Sequence, residues 1–354
     1  DWSVGDCAGI VTEVGDAVKA SGLLQVGHRV AGLAAHRVGG KAIIPAKCAA
    51  ALAENLSFVD AVSSLTDYVV AKQILARHLP PPSALEGTKI VVHDAGTGLG
   101  LALLQLASKE GYSTESLLAT TACNSAAERG RLEQLLQEMG LEHSLLEPSA
   151  LRGALAASEG LEVIVINTAG SSGQDFLSSI FFQESGSGDN GELSIERVLH
   201  IMEEEEQHSG SATAKKSHQQ QALQRAQLSA AAAATSTLSV QQLRARAGAG
   251  AVAEVLRKLS EGQWHRLPAE SVAVSDAVQV AAQAANVAKK LVLLMEGSVP
   301  VQASADQCYD PEGFYIIAGG TGEIGRALAK SMAQRGAKHI MLLSRTRAEV
   351  DRAS

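Results

Sequence analysis

Two short glycine-rich stretches carry the clearest chemical signal in this sequence. In HDAGTGLGLALLQLA, residues 93–107, glycines recur at every second position as Gly96, Gly98 and Gly100. Such spacing lets the backbone turn tightly and approach a pyrophosphate, and the amides opening the next helix face the charge. In AGGTGEIG, residues 318–325, Gly319, Gly320, Gly322 and Gly325 do the same. The candidate dinucleotide contacts are therefore Gly96, Thr97, Gly98, Leu99 and Gly100 in the first stretch, with Gly319, Gly320, Thr321, Gly322, Ile324 and Gly325 in the second. A glycine-rich turn alone is weak evidence, with a mere tight turn as the alternative, and its place between a strand and a helix is what gives it meaning.

The residue at the tip of the following strand separates the two nicotinamide cofactors. An acid there accepts from the ribose hydroxyls of NAD, whereas a base suits the 2'-phosphate of NADP. Ser344 and Arg345 hold that position in the second stretch, so NADPH is the expected cofactor. In the first, the tip reads ACNSAAERGR, where Arg129 or Arg131 could reach a phosphate or instead lie on a solvated helix face. Histidines and cysteines do not fall at zinc-ligand spacing, and no GxSxG or HExxH pattern supports hydrolase chemistry.

Elements must position these turns. Residues 7–45 read as short β-runs, CAGIVTEVG, HRVAGLA and KAIIPA, parted by glycine-containing turns, which predicts an antiparallel β-region. FVDAVSSLTDYVVAKQILARH has apolar residues at helical spacing and stops before Pro80, Pro81 and Pro82. A strand, IVV, then leads into the first glycine turn and a helix, followed by LLATT as a strand, two helices and the buried strand LEVIVIN. Residues 171–250 change to polar, low-complexity sequence, with four glutamates at 203–206 and five alanines at 230–234. Such composition buries little surface, and disorder or loose helix is expected there, with a specific interaction segment as the alternative. KKLVLLME at residues 289–296 restores a strand, and FYIIA opens the second glycine-turn unit.

The whole chain narrows the functional classes. It has 354 residues, 46% apolar, with 3% aromatic content and a formal charge of −8. Lacking basic blocks and aromatic platforms, it is a poor candidate for nucleic-acid binding. The longest apolar runs fall far short of the roughly 20 residues of a membrane span. Four scattered cysteines without CxxC spacing argue for a reducing, cytoplasmic compartment. The sequence begins with Asp inside what reads as a strand, so it is expected to be part of a longer polypeptide.

DCAGIVTEVG, VGHRVAGLA, AIIPA, LSFVDAVSS, HDAGTGLGLALLQLA and LSEGQWHRLPAESVAVSDAVQVAAQAANVAKKLVLLM follow one another as in a known family. They resemble the enoyl reductases of type I polyketide synthases and animal-type fatty acid synthases, which are zinc-free medium-chain dehydrogenase/reductases. GFYIIAGGTGEIGRALAKSMAQRGAKHIMLLSR similarly resembles the start of a synthase ketoreductase. The resemblance implies an α/β protein: a GroES-like β-rich lobe formed by residues 1–78 and 263–296, and a doubly wound Rossmann NADP-binding domain over 79–262 carrying the 171–250 insertion. A linker over 297–310 and the beginning of a second Rossmann domain over 311–354 follow.

It further implies NADPH-dependent reduction of trans-2-enoyl thioesters on an acyl carrier protein, with neighbouring synthase domains as partners and a homodimer as a possible assembly. Tyr68 matches the family's tyrosine near the nicotinamide, or is a core aromatic; Lys72, one turn later, is a candidate proton donor. Asn167 is a candidate cofactor contact. The family pattern is broken at Val70, Leu65, Val38 and Glu128, and the strand that supplies a lysine after Asn167 and Thr168 is unrecognisable. A catalytically inactive remnant and a free-standing quinone oxidoreductase are the alternatives.

Overall fold

The computed structural model describes residues 3–37, 40–85, 87–121, 125–141, 145–156, 163–168, 195–202, 232–247, 250–276, 290–295, 309, 312–334 and 336–344. The chain forms two compact units, Asp1–Glu296 and Gly297–Ser354.

The first unit opens with β1 (Ser3–Ile10), α1 (Asp16–Ser21), β2 (Arg29–Arg37) and β3 (Ala49–Ala51). The three strands pair antiparallel in the order β1-β2-β3. KAIIPA is not a strand, contrary to its alternating look. Pairing with β2 begins only at Ala49, past Pro45, which has no N–H to give a ladder.

Helix α2 (Phe58–His78) is the spine of this unit. Ser57 caps it by accepting from the Asp60 amide at 3.0 Å, and the prolines after Leu79 prevent its continuation. Its buried residues, among them Leu65, Tyr68, Val69, Val70 and Ile74, surround the axis because the helix packs against β1 and β2, α3 (Gly98–Lys109) and α7 (Ala251–Ser260). A helix apolar on so much of its surface has a weak amphipathic period and belongs inside a molecule.

A parallel sheet follows, built from β4 (Lys89–His93), β5 (Leu117–Thr120), β6 (Val163–Asn167), β7 (Ile195–Met202) and β8 (Ala232–Ser239). Among the described residues its order is β5-β4-β6-β7-β8. Helices α4 (Ala126–Glu138) and α5 (Pro148–Ala156) connect β5 to β6, and α6 (Val240–Ala245) follows β8. Because β5 lies on one side of β4 and β6 on the other, the chain reverses its winding at β4, and a crevice opens beyond the carboxyl ends of β4 and β6. The strand pair β9 (Ala269–Ala273) and β10 (Lys290–Leu294) completes the unit.

The insertion reading of residues 171–250 needs correction. Two stretches inside it, β7 and β8, are inner and edge strands of the sheet. In β7, Val198, Leu199 and Ile201 are at most 3% exposed, so a short apolar core stretch is hidden between polar, low-complexity flanks. Threonine and serine after the alanines suit β8 to its edge position. Helix α6 and residues 246, 247 and 250 also fall within 171–250; its other residues, and the 297–310 linker apart from Tyr309, lie outside the described residues.

The second unit consists of β11 (Phe314–Ala318), α8 (Glu323–Gln334) and β12 (His339–Leu343), with the strands parallel and Ile317, Met332 and Ala337 buried beside them.

Candidate functional site

The first glycine turn sits at the switch point of the sheet. After His93 the chain turns through Asp94, whose φ of 59° is rare outside glycine. Thr97 then caps α3, accepting from the Gly100 amide at 3.0 Å. Gly100 is required by space: a Cβ there would lie 2.7 Å from Ala95 Cα and 2.9 Å from the Asp94 carbonyl. The turn is therefore folded back on the first turn of α3, as a dinucleotide-binding crossover demands. Leu99 and Gly100 are buried, whereas Gly96, Thr97 and Gly98 are half-buried and open to a ligand.

Asn167, the last residue of β6, is fully buried beside His93 in the sheet register, so the cofactor contact expected of it is not available to a ligand. Its neighbour Thr168 reaches the turn instead. The Thr168 hydroxyl donates to the His93 carbonyl at 2.8 Å and lies 3.1 Å from the Thr97 hydroxyl, which ties β6 to the glycine turn. His93 is itself buried, with Nδ1 2.9 Å from the Thr120 hydroxyl, and burial lowers its pKa to about 4. It is a neutral structural imidazole.

The two side chains expected to be catalytic have other partners. Tyr68 is 0% exposed and stacks on Trp264 at 4.7 Å. Its hydroxyl lies 2.5 Å from Gln105 Oε1 and 2.7 Å from the His265 carbonyl, either of which accepts its proton. Burial, with the Asp67 carboxylate adding to it, pushes the phenol well above the usual tyrosine range. Tyr68 is a core residue, with no face for a nicotinamide. Lys72 pairs with Glu254 of α7 at 2.5 Å, so its charge is committed to packing α2 on α7. Arg129 also differs from the expectation of a free phosphate ligand, since Glu133 at 3.0 Å and Glu147 both engage its guanidinium.

A charged cluster that sequence reasoning missed lies against the glycine turn. Lys290 of β10 is 2.6 Å from Asp6 of β1 and 3.6 Å from Asp67 of α2, while Arg244 of α6 is 3.9 Å from Asp6. Asp6 is 3% exposed and also accepts from the Thr66 amide at 3.3 Å and from the Thr66 hydroxyl. Burial works against the charge of Lys290, but the Asp6 and Asp67 carboxylates outweigh it and hold its pKa above the usual lysine value. Residues so far apart in sequence leave no local pattern to read.

A groove of about 350 Å³, lined by Leu101, Leu135, Met139, Leu259, Trp264 and Leu267 among others, runs beside α3 and includes no residue of the glycine turn. It is separate from the switch-point crevice.

In the second unit the turn is again dictated by space. Gly319 has a φ of 74°, and a Cβ on Gly325 would lie 2.5 Å from Gly320 Cα. Thr321 donates to Ser344 at 2.7 Å, so the turn and the tip of β12 meet. Gly322 and Gly320 line the same turn, and Ile324 is 86% exposed. Arg345 lies outside the described residues.

The KR domain family model matches residues 313–354. A Streptomyces orinoci protein, the spectinabilin polyketide synthase system protein NorB, is 26% identical over 98% of this chain and 14% of its own length. Over nearly its whole length the chain is similar to polyketide synthases.

It spans about one-seventh of that relative. Among solved structures, the CurK enoyl reductase is 19% identical, with 81% of this chain and 77% of that chain covered and a TM-score of 0.53. The Escherichia coli quinone oxidoreductase, solved with NADPH, is 17% identical, with 82% of this chain and 81% of that chain covered and a TM-score of 0.54. At these identities the likeness is one of fold: a β-rich lobe joined to a Rossmann-like parallel sheet.

Proposed function

We propose that the Asp1–Glu296 unit is the enoyl reductase segment of a polyketide synthase, with NADPH as reductant and a trans-2-enoyl thioester on an acyl carrier protein as substrate. The observation that carries this reading is the glycine turn at the switch point, closed so tightly on α3 that Gly100 admits no side chain. The residues present fit a dinucleotide: the half-buried turn of Gly96, Thr97 and Gly98 would hold the pyrophosphate, and Thr168 fixes the turn that presents it. In the second unit, Gly319, Gly320, Gly322 and Gly325 would hold a second NADPH near Ser344.

Bound NADPH supplies the hydride for the β-carbon of the enoyl thioester, and a proton goes to the α-carbon. The protein's own contribution is orientation and the exclusion of water from the crevice. The test is whether the 354-residue chain oxidises NADPH when a crotonyl thioester is added. Thioester-dependent oxidation supports the reading, and its absence in a chain that binds NADPH contradicts it.

A second reading, a remnant that serves as a structural segment between synthase domains, draws on the burial of Tyr68 and the pairing of Lys72 with Glu254. It predicts a folded chain without turnover.

A further inference from the structure

The Asp67 carboxylate leans directly on the glycine turn. A Cβ built on Gly98 would lie 2.5 Å from Asp67 Oδ2, so an acidic group occupies the flank of the half-buried, ligand-accessible part of the turn. An uncompensated acid there would repel a pyrophosphate, since like charges a few ångströms apart in a partly buried site interact strongly. The compensating charge comes from the opposite end of the unit. Lys290 lies 3.6 Å from Asp67 Oδ2 and is itself anchored 2.6 Å from Asp6, which is 3% exposed. Arg244, 3.9 Å from Asp6 and hydrogen-bonded to the Gly5 carbonyl, completes a cluster of two acids and two bases.

We infer that Lys290 is a positioning residue for the cofactor: it neutralises Asp67 beside Gly98 and so makes the glycine turn receptive to a dinucleotide pyrophosphate. This rests on the NADPH-binding reading above. It also assigns Asp6 a task, since Asp6 holds Lys290, a lysine at 30% exposure, beside Asp67. The cluster links β1, α2, α6 and β10, four segments scattered along the chain, so the receptive state of the turn requires the β-rich lobe to be assembled.

The experiment is an NADPH titration, by nicotinamide fluorescence, of the full chain carrying Gly325→Val to disable the second turn, and of its variants. Lys290→Met alone would strand the buried Asp6, so the pair is removed together as Asp6→Asn/Lys290→Met, which takes Lys290 from Asp67 without stranding Asp6. That variant should keep the wild-type circular dichroism and melting behaviour but bind NADPH more weakly, on the order of tenfold. Adding Asp67→Asn to it should restore affinity, which a merely structural Lys290 would not allow. Asp67→Asn alone, in which Lys290 keeps Asp6, should bind NADPH more tightly than the wild type and serves if the double variant does not fold. Unchanged affinity in Asp6→Asn/Lys290→Met, failed restoration by Asp67→Asn, or weaker binding by Asp67→Asn alone each overturns the inference. A wild-type chain that is folded and binds no NADPH overturns the cofactor reading and the inference together.

Discussion

Tyr68 and Trp264 stack with their ring centroids 4.7 Å apart and their planes inclined by 25°. The contact joins α2 to the loop that follows α7, and it places the phenol hydroxyl where Gln105 and the His265 carbonyl meet it. Tyr68→Phe should therefore destabilise the first unit by about 1 kcal/mol, the usual net worth of a buried hydrogen bond. Tyr68→Ala, which also removes the stacked ring, should cost about 3–5 kcal/mol. Urea denaturation gives both numbers. NADPH affinity of Tyr68→Phe should match the wild type, whereas a hydroxyl in contact with the nicotinamide would change it.

Lys72 and Glu254, at 35% and 37% exposure, form an ion pair screened by solvent. Lys72→Met should change stability by less than about 1 kcal/mol, and the difference should shrink in high salt. Turnover with a crotonyl thioester should persist. Loss of turnover with unchanged stability would return Lys72 to the role of proton donor.

His93 gives the first unit a pH dependence. Its pKa falls from 6.5 to about 4 on burial, so the unfolded chain binds the proton more readily than the native one. The native state keeps its full stability above about pH 6.5 and loses roughly 3 kcal/mol as pH falls toward 4. Melting temperature measured across that window should drop, and a His93→Gln variant should show a shallower fall than the wild type.

Arg129 is held by Glu133 and Glu147. Glu147→Gln frees part of its guanidinium, and if Arg129 meets a 2'-phosphate the preference for NADPH over NADH should rise by about tenfold or more, the scale of one charge-assisted hydrogen bond. Competition titrations with the two cofactors measure this directly.

Much of the framework is legible in the sequence because it is written in local signals. Helix α2 begins after a serine cap and ends before three prolines, so both its limits can be read. The glycine turns can be read because Gly100 and Gly325 each stand where no side chain fits. Strand β7 could not be, since a few apolar residues between glutamate-rich and serine-rich segments give too short a period to count. KAIIPA misleads in the opposite sense, looking like a strand where Pro45 and the register of β2 prevent one. Tyr68 could not be assigned from sequence, because a tyrosine at a family position and a tyrosine in a core look alike until Trp264 is seen to cover its ring. The Asp6–Lys290 pair joins β1 to β10, and only the closed fold reveals it.

The central claim, that the switch-point turn of the first unit holds NADPH, is tested most directly by titrating NADPH into the full chain carrying Gly325→Val, which disables the second turn. Saturable enhancement or quenching of nicotinamide fluorescence, lost when Gly100→Val is added, is the result the structure predicts. No saturable change in the folded Gly325→Val chain, or binding that survives Gly100→Val, would contradict it.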